Sequence, residues 1–175
     1  MRTVLALAAL ALLASPAPAL EREADGFFHT GDGIRVKKVA FIKIKVYAID
    51  HYMKELPAQK TRQAVVDADV DKRFTWKMLR NVEASKIKTA LREAYARNGY
   101  GDTGKIESFV TALNRDFKEG DTVTIRYDAA KKTTTLTGPG GTTSVAGDEF
   151  MRATWRIWLG EIDQSGLGES LIQRL

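Results

Sequence analysis

Three residues in this chain carry the means to hold an anion: Arg35, Tyr47 and Tyr100. A guanidinium offers a fixed fork of donors that matches a carboxylate or an oxyanion, and a phenol can donate one more hydrogen bond. Arg35 and Tyr47 fall in the stretch "GIRVKKVAFIKIKVYAIDHYM" (residues 33–53). There they share parity, so they can face one side of a strand pair if no bulge intervenes. Spacing alone also fits a plainer arrangement, a solvated arginine and a tyrosine at the edge of a core.

The remaining reactive inventory is thin. His29 and His51 are the only histidines, and neither belongs to an H-x-x-H or H-E-x-x-H pattern. A histidine-rich metal site is therefore excluded, a histidine-based triad has little to draw on, and both residues read as surface or strand-edge positions. The chain has no cysteine, which excludes disulfides, thiolate catalysis, zinc–thiolate sites and iron–sulfur ligation. "TGPGG" (137–141) lacks the Lys-Ser/Thr of a P-loop and reads as a β-turn, while "TGDG" before Ile34 has too few acids for a calcium loop. No metal and no cofactor is expected.

The elements that must position these residues follow from periodicity. In residues 33–53 one row carries Arg35, Lys37, Val39, Phe41, Lys43, Lys45, Tyr47, Ile49 and His51. The other carries Ile42, Ile44, Val46 and Ala48, and this alternation predicts β structure with one face on a core. "GFFHTGDGIR" precedes it as a strand joined through a Gly-Asp-Gly turn. Residues 57–69 can form one polar helix, and residues 71–79 alternate again as a strand. Ile87, Leu91, Ala94 and Tyr95 then fall at helical spacing, with Asn98-Gly99 as a stop. A second helix follows, with Ile106, Phe109, Val110, Leu113 and Phe117 on one stripe and Asp102 or Thr103 as its cap. Short β segments fill residues 120–147, and "DEFMRATWRIWLGE" turns Phe150, Met151, Thr154, Ile157 and Trp158 inward. Trp76, Trp155 and Trp158 each lie on an apolar stripe and are assigned to core packing. Strands and helices do not alternate as βαβ units. The expected class is α+β, a mainly antiparallel sheet with helices on one face.

The chain opens "MRTVLALAALALLASPAPAL", a basic residue, an apolar run and an A-x-A site. This predicts a secretory signal peptide over residues 1–19, and a single domain over 20–175. The run is too short for a membrane span of about 20 residues, so no stable membrane insertion is expected after cleavage, and the predicted location is periplasmic. Formal charge is +5, or +4 once Arg2 is removed. So small an excess points weakly to an anionic small ligand and argues against nucleic acid.

With these elements in place, the sequence resembles the chalcone isomerase family, in its bacterial exported chalcone isomerase-like branch. The resemblance runs from about residue 31 to 171 through "GDGIRVK…FIKIKVYAIDHYM", "FTWKMLRNVEASKIKTALREAY", "NGYGDTGKIESFVTAL", "FKEGDTVTIRYD" and "GDEFMRATWRIWLGE". It implies an open-faced β-sandwich, a large antiparallel sheet with a helical layer and a ligand cleft between them. It places Arg35 at the family's arginine position and Tyr100 at its tyrosine position. Tyr47 falls where the plant isomerases have Thr, and Ile157 falls where they have Thr or Ser.

Two roles follow from the resemblance. Arg35, Tyr47, Tyr100 and Ile157 would bind the ligand, a fatty acid or similar amphipathic anion whose carboxylate Arg35 and Tyr100 clamp. Alternatively Arg35, Tyr47 and Tyr100 would serve an isomerase acting on a phenolic or enone substrate by intramolecular conjugate addition. A protein-binding role with a vestigial cleft is a third reading. In the first, Arg35 points into the cleft, Tyr47 borders it, and Lys43 and Lys45 stay exposed.

Overall fold

The computed structural model describes residues 20–175, and the leader read at residues 1–19 lies outside the described residues. Six strands form one sheet in chain order: β1 (Phe28–Val39), β2 (Ile42–Met53), β3 (Lys72–Met78), β4 (Thr122–Asp128), β5 (Thr133–Gly138) and β6 (Gly141–Ala146). Every neighbouring pair is antiparallel. Between and after them come α1 (Arg62–Asp67), α2 (Ala84–Arg97), α3 (Thr103–Val110), α4 (Asp148–Leu159) and α5 (Leu167–Ser170). The fold is α+β, as the interleaving of periods implied.

Alternation buries one face of each central strand. Phe74, Trp76 and Met78 of β3 and Val123, Ile125 and Tyr127 of β4 are sealed under the helical layer. Helix α4 supplies the other side of that core through Phe150, Met151, Thr154, Trp155, Ile157 and Trp158. All three tryptophans are core residues. Asp102 caps α3 by accepting from the Lys105 amide at 3.0 Å, and α2 stops at Asn98, followed by Gly99 at φ +75°.

Four local expectations are corrected. The Gly-Asp-Gly segment is not a turn: β1 runs through it, and the hairpin closes at Ala40 and Phe41. These glycines serve close approach instead, since a Cβ on Gly31 would collide with the Ser170 carbonyl and one on Gly33 with Leu167. The polar helix shrinks to six residues, capped by Thr61. His51 is fully buried rather than at an edge. Its Nε2 accepts from the Trp155 indole at 2.9 Å and its Nδ1 lies 2.6 Å from the Thr30 hydroxyl. The indole can only donate, so Nδ1 carries the proton and donates to Thr30, whose hydroxyl donates to the Leu171 carbonyl at 3.0 Å.

The fourth correction concerns which row of β2 faces inward. Arg35 pairs with Tyr47, but Val36 pairs with Lys45, leaving Val46 as an extra residue. This β-bulge reverses parity on the tip side. On one side of it Tyr47, Ile49, His51 and Met53 face the core. On the other, Ile44 shares a face with Lys37, while Lys43 and Lys45 turn to the opposite face. The unbroken apolar row of the sequence is therefore cut in two by geometry.

Candidate functional site

A cavity of about 900 Å³ opens between the sheet and α2. Its apolar wall is built from Trp76, Ile87, Leu91, Phe117, Ile157 and Trp158. The size lies within the ~300–1,000 Å³ usual for small-molecule sites. Helix α2 contributes because Ile87, Leu91 and Ala94 repeat at helical spacing on its inner side. The first hairpin contributes Arg35, Lys37, Val39, Ile44, Val46 and Tyr47, the set that the Val46 bulge brings to one side.

Arg35 and Tyr47 are direct cross-strand partners, and both line this cavity. Tyr47 is buried, stacks on Trp76 at 4.9 Å, and its hydroxyl accepts from the Trp158 indole at 3.0 Å. Burial pushes its phenol above the ordinary value. It therefore stays protonated, and its own proton remains available to an acceptor. Trp76 packs edge-on to Trp158 at 5.2 Å. Among the described residues its buried indole N–H has no acceptor. A donor left unsatisfied costs about 1–3 kcal/mol, and this one is enclosed in the core rather than open to the cavity.

Arg35 already has a carboxylate. Its Nη2 donates to Asp163 Oδ1 at 2.5 Å and its Nη1 to Gln164 Oε1 at 3.3 Å. The same glutamine accepts from the Val36 amide at 2.7 Å and donates to the Ile34 carbonyl at 2.8 Å. It thus pairs with the free edge of β1 as a short strand would, and fixes the segment after α4 against the arginine. Asp163 lines the cavity too. Across the whole lining six basic residues (Arg35, Lys37, Arg80, Lys86, Arg97, Lys118) face four acidic ones (Glu83, Glu93, Asp116, Asp163). The cavity is thus net cationic, and its low-dielectric walls strengthen that field.

The structure brings Arg35, Tyr47 and Ile157 together, and it sets Tyr100 apart. Tyr100 is not in the cavity lining; it packs on Tyr95 at 5.7 Å and on Phe150 at 5.8 Å. The Arg35–Tyr100 clamp is therefore not assembled, and the phenol beside Arg35 belongs to Tyr47. Tyr100 follows the left-handed Gly99 just past the end of α2, and its ring joins Tyr95 and Phe150 instead of the cavity wall. Sequence reading missed Asp163 and Gln164, which sit in "GEIDQSG" with no periodicity to mark them. It assigned Trp76 and Trp158 to the core, and both also line the cavity.

One other cluster could hold a cation. His29, Asp32 and Asp50 converge on the outer face of the sheet with ligand atoms within 4.8 Å of one another. A second bulge, at Thr30, puts His29 and Asp32 on the same side. Asp32 is already bonded to Arg174 at 3.0 Å, and His29 lies 3.1 Å from Asp50. Among the described residues the His29 Nε2 makes no hydrogen bond of good geometry, and its polar contacts are the approaches to Asp50 and Asp32 alone.

Comparison with known proteins gives a consistent setting. The family model described as chalcone isomerase-like matches residues 23–169. No curated protein matches the chain in sequence. Among solved structures, a fatty-acid binding protein of Arabidopsis thaliana shares the fold with a TM-score of 0.69, covering 90% of this chain and 91% of that chain at 16% identity. At that identity the likeness is one of fold.

Proposed function

This chain belongs to the chalcone isomerase-like family, and we propose that it holds a fatty acid or similar amphipathic anion in the cavity between sheet and helices. One observation carries the reading. In the lining of a cavity of about 900 Å³, the protein places a guanidinium beside a protonated phenol as direct cross-strand partners. Such a set suits a carboxylate whose tail runs along Ile87, Leu91 and Phe117. Each methylene buried there contributes about 0.8 kcal/mol, so a long chain supplies most of the affinity and the polar groups fix its orientation.

The site is that of a holder rather than a catalyst. Ile157 offers no polar group, and Tyr47 is a donor rather than a base, because burial keeps its proton on. The structural likeness to a fatty-acid binding protein supports the reading at the level of fold. The leader read at residues 1–19 supports a periplasmic location.

Native mass spectrometry of the purified protein, followed by solvent extraction, tests the proposal. An amphipathic acid carried by wild type and lost from Arg35→Ala is the expected result. Arg35→Ala retaining the same load, or a bound species with no acidic group, would overturn it.

A further inference from the structure

We propose that the tip of the first hairpin is a docking site for an anionic lipid bilayer. Strand β2 pairs with β3 only over residues 47–53, so the hairpin beyond it is a two-stranded finger. The five residues from 42 to 46 carry it about 16 Å past the end of β3, at about 3.3 Å per residue. Its apex is apolar and bare: Phe41 is fully exposed, Ile42 is 66% exposed and Val39 is 51% exposed. Large apolar side chains grouped on a projecting tip mark a contact surface rather than scattered surface residues.

The turn itself supports a function. Two-residue hairpins are closed without strain by Asn-Gly or a leading Gly. This chain uses Ala40, held at φ +53°, followed by Phe41. A departure from the local rule at an exposed apex places an aromatic ring where no folded-state contact needs it.

Charge names the partner. Lys37, Lys38, Lys43 and Lys45 flank the apex, all exposed, and among the described residues none forms an ion pair. Asp163 is the one acidic residue lining the adjoining cleft, and Arg35 holds it. Aromatic and aliphatic side chains ringed by lysines match the interfacial region of an anionic bilayer, with the rings among the acyl chains and the ammonium groups at the phosphates. The finger also forms one wall of the cavity through Lys37, Val39 and Ile44. A docked molecule thus sets the cavity beside the lipid surface. That loading route rests on the proposed function, whereas the docking rests on the hairpin alone.

Vesicle sedimentation of the purified protein tests the docking, with phosphatidylcholine alone against phosphatidylcholine mixed with phosphatidylglycerol. Binding should require the anionic lipid and weaken as salt is raised. Lys38→Gln and Lys43→Gln should each reduce partitioning about fivefold, from roughly 1 kcal/mol per lysine near the surface. Phe41→Ser with Ile42→Ser should reduce it further without changing thermal stability. Phe41→Trp adds a reporter at the apex, and its emission should shift to the blue and be quenched by brominated acyl chains. The proposal is overturned if anionic vesicles are not bound, or if the serine variant binds as well as wild type. Binding with Phe41→Trp left unquenched would also overturn it, and would point to a lysine-driven contact with an acidic protein surface. Hexadecanoate affinity of the serine variant, measured in solution without vesicles, separates the two readings. Unchanged affinity there leaves the cavity intact whatever the vesicles report.

Discussion

The pairing of Arg35 with Asp163 makes the cavity's affinity for a carboxylate a contest between two anions, and Asp163→Asn should tip it. In the resting protein the Asp163 carboxylate lies 2.5 Å from the guanidinium that a ligand would seek. A ligand carboxylate on the remaining donors of Arg35 would stand some 4 Å away. Two such charges repel by about 1 kcal/mol in water and about 4 kcal/mol at an effective dielectric of 20. The Asp163 side chain is 50% exposed, so the lower figure governs. Removing the charge should tighten binding about fivefold. Asparagine keeps an oxygen for Arg35, so the Gln164 contacts to β1 can persist. Arg35→Ala should move affinity the other way, by the roughly 1.5–3 kcal/mol of a hydrogen bond to a charged group. Titration calorimetry with hexadecanoate on the two variants and their combination reads both signs, and the methyl ester serves as control. In the double variant the Asp163→Asn gain should vanish, and the ester should bind all proteins alike. An Asp163→Asn affinity equal to or below wild type would refute the reasoning, as would a gain that survives loss of Arg35.

Three further outcomes follow from the geometry. Tyr47→Phe should destabilise the fold by about 1–3 kcal/mol in chemical denaturation, because the buried Trp158 N–H loses its acceptor; an unchanged midpoint would show that the indole finds another partner. Gly31→Ala should cost on the order of 1–3 kcal/mol or more, since the new methyl meets the Ser170 carbonyl. Hydrogen exchange should then show α5 loosened first. His51 is held neutral, its pKa well below 6.5, by burial and then by the neighbouring charges of Lys72 and His29. A lowered folded value means the unfolded chain takes up the proton first, so the stability tied to His51 is complete above pH 6.5 and is lost as pH falls. The difference in unfolding free energy between wild type and His51→Gln should shrink by up to about 1.4 kcal/mol per pH unit below 6.5; parallel curves would contradict it.

Much of this was legible in the sequence because periodicity survives any viewpoint. The α2 stripe of Ile87, Leu91 and Ala94 and the alternation of Phe74, Trp76 and Met78 announce their elements and their buried faces. Arg35 and Tyr47 as one pair were not legible from parity: the turn pairs Val39 with Ile42, strict alternation would set Arg35 opposite Val46, and the extra residue at Val46 is what brings Tyr47 to it. What was not legible depends on insertions into that parity. The bulges at Thr30 and Val46 leave no residue signature, yet they decide that Ile44 faces the cavity, that Lys43 and Lys45 do not, and that His29 meets Asp32. Gly31 and Gly33 misled for a related reason. A glycine permits both a turn and a close approach, and only the position of α5 discriminates between them.

The two bulges also explain how one hairpin can serve a core, a cavity and a free tip. With strict alternation from Met53 to Ile42, the row that seals the core at Ile49 and His51 would continue as Lys45 and Lys43. Lysines would then line the cavity, and the isoleucines would cover the outer face. By inserting Val46 immediately beyond the Arg35–Tyr47 pair, the chain keeps Tyr47 in the core row and exchanges the rows after it. Apolar Ile44 then lines the cavity while Lys43 and Lys45 turn outward. The switch falls at the donors that would meet a carboxylate. On its inner side the wall is sealed core, and on its outer side it is a two-stranded finger free to approach a surface. Deleting Val46 would test this directly. The shortened strand should lose the bulge yet keep Lys45 opposite Val36 and Ile44 opposite Lys37. Lys45 then stays outward, hexadecanoate binding is retained, and the β2–β3 pairing over residues 47–53 is intact by amide exchange. Loss of binding in that variant, with the pairing intact, would mean that the bulge shapes the site by something other than side-chain parity.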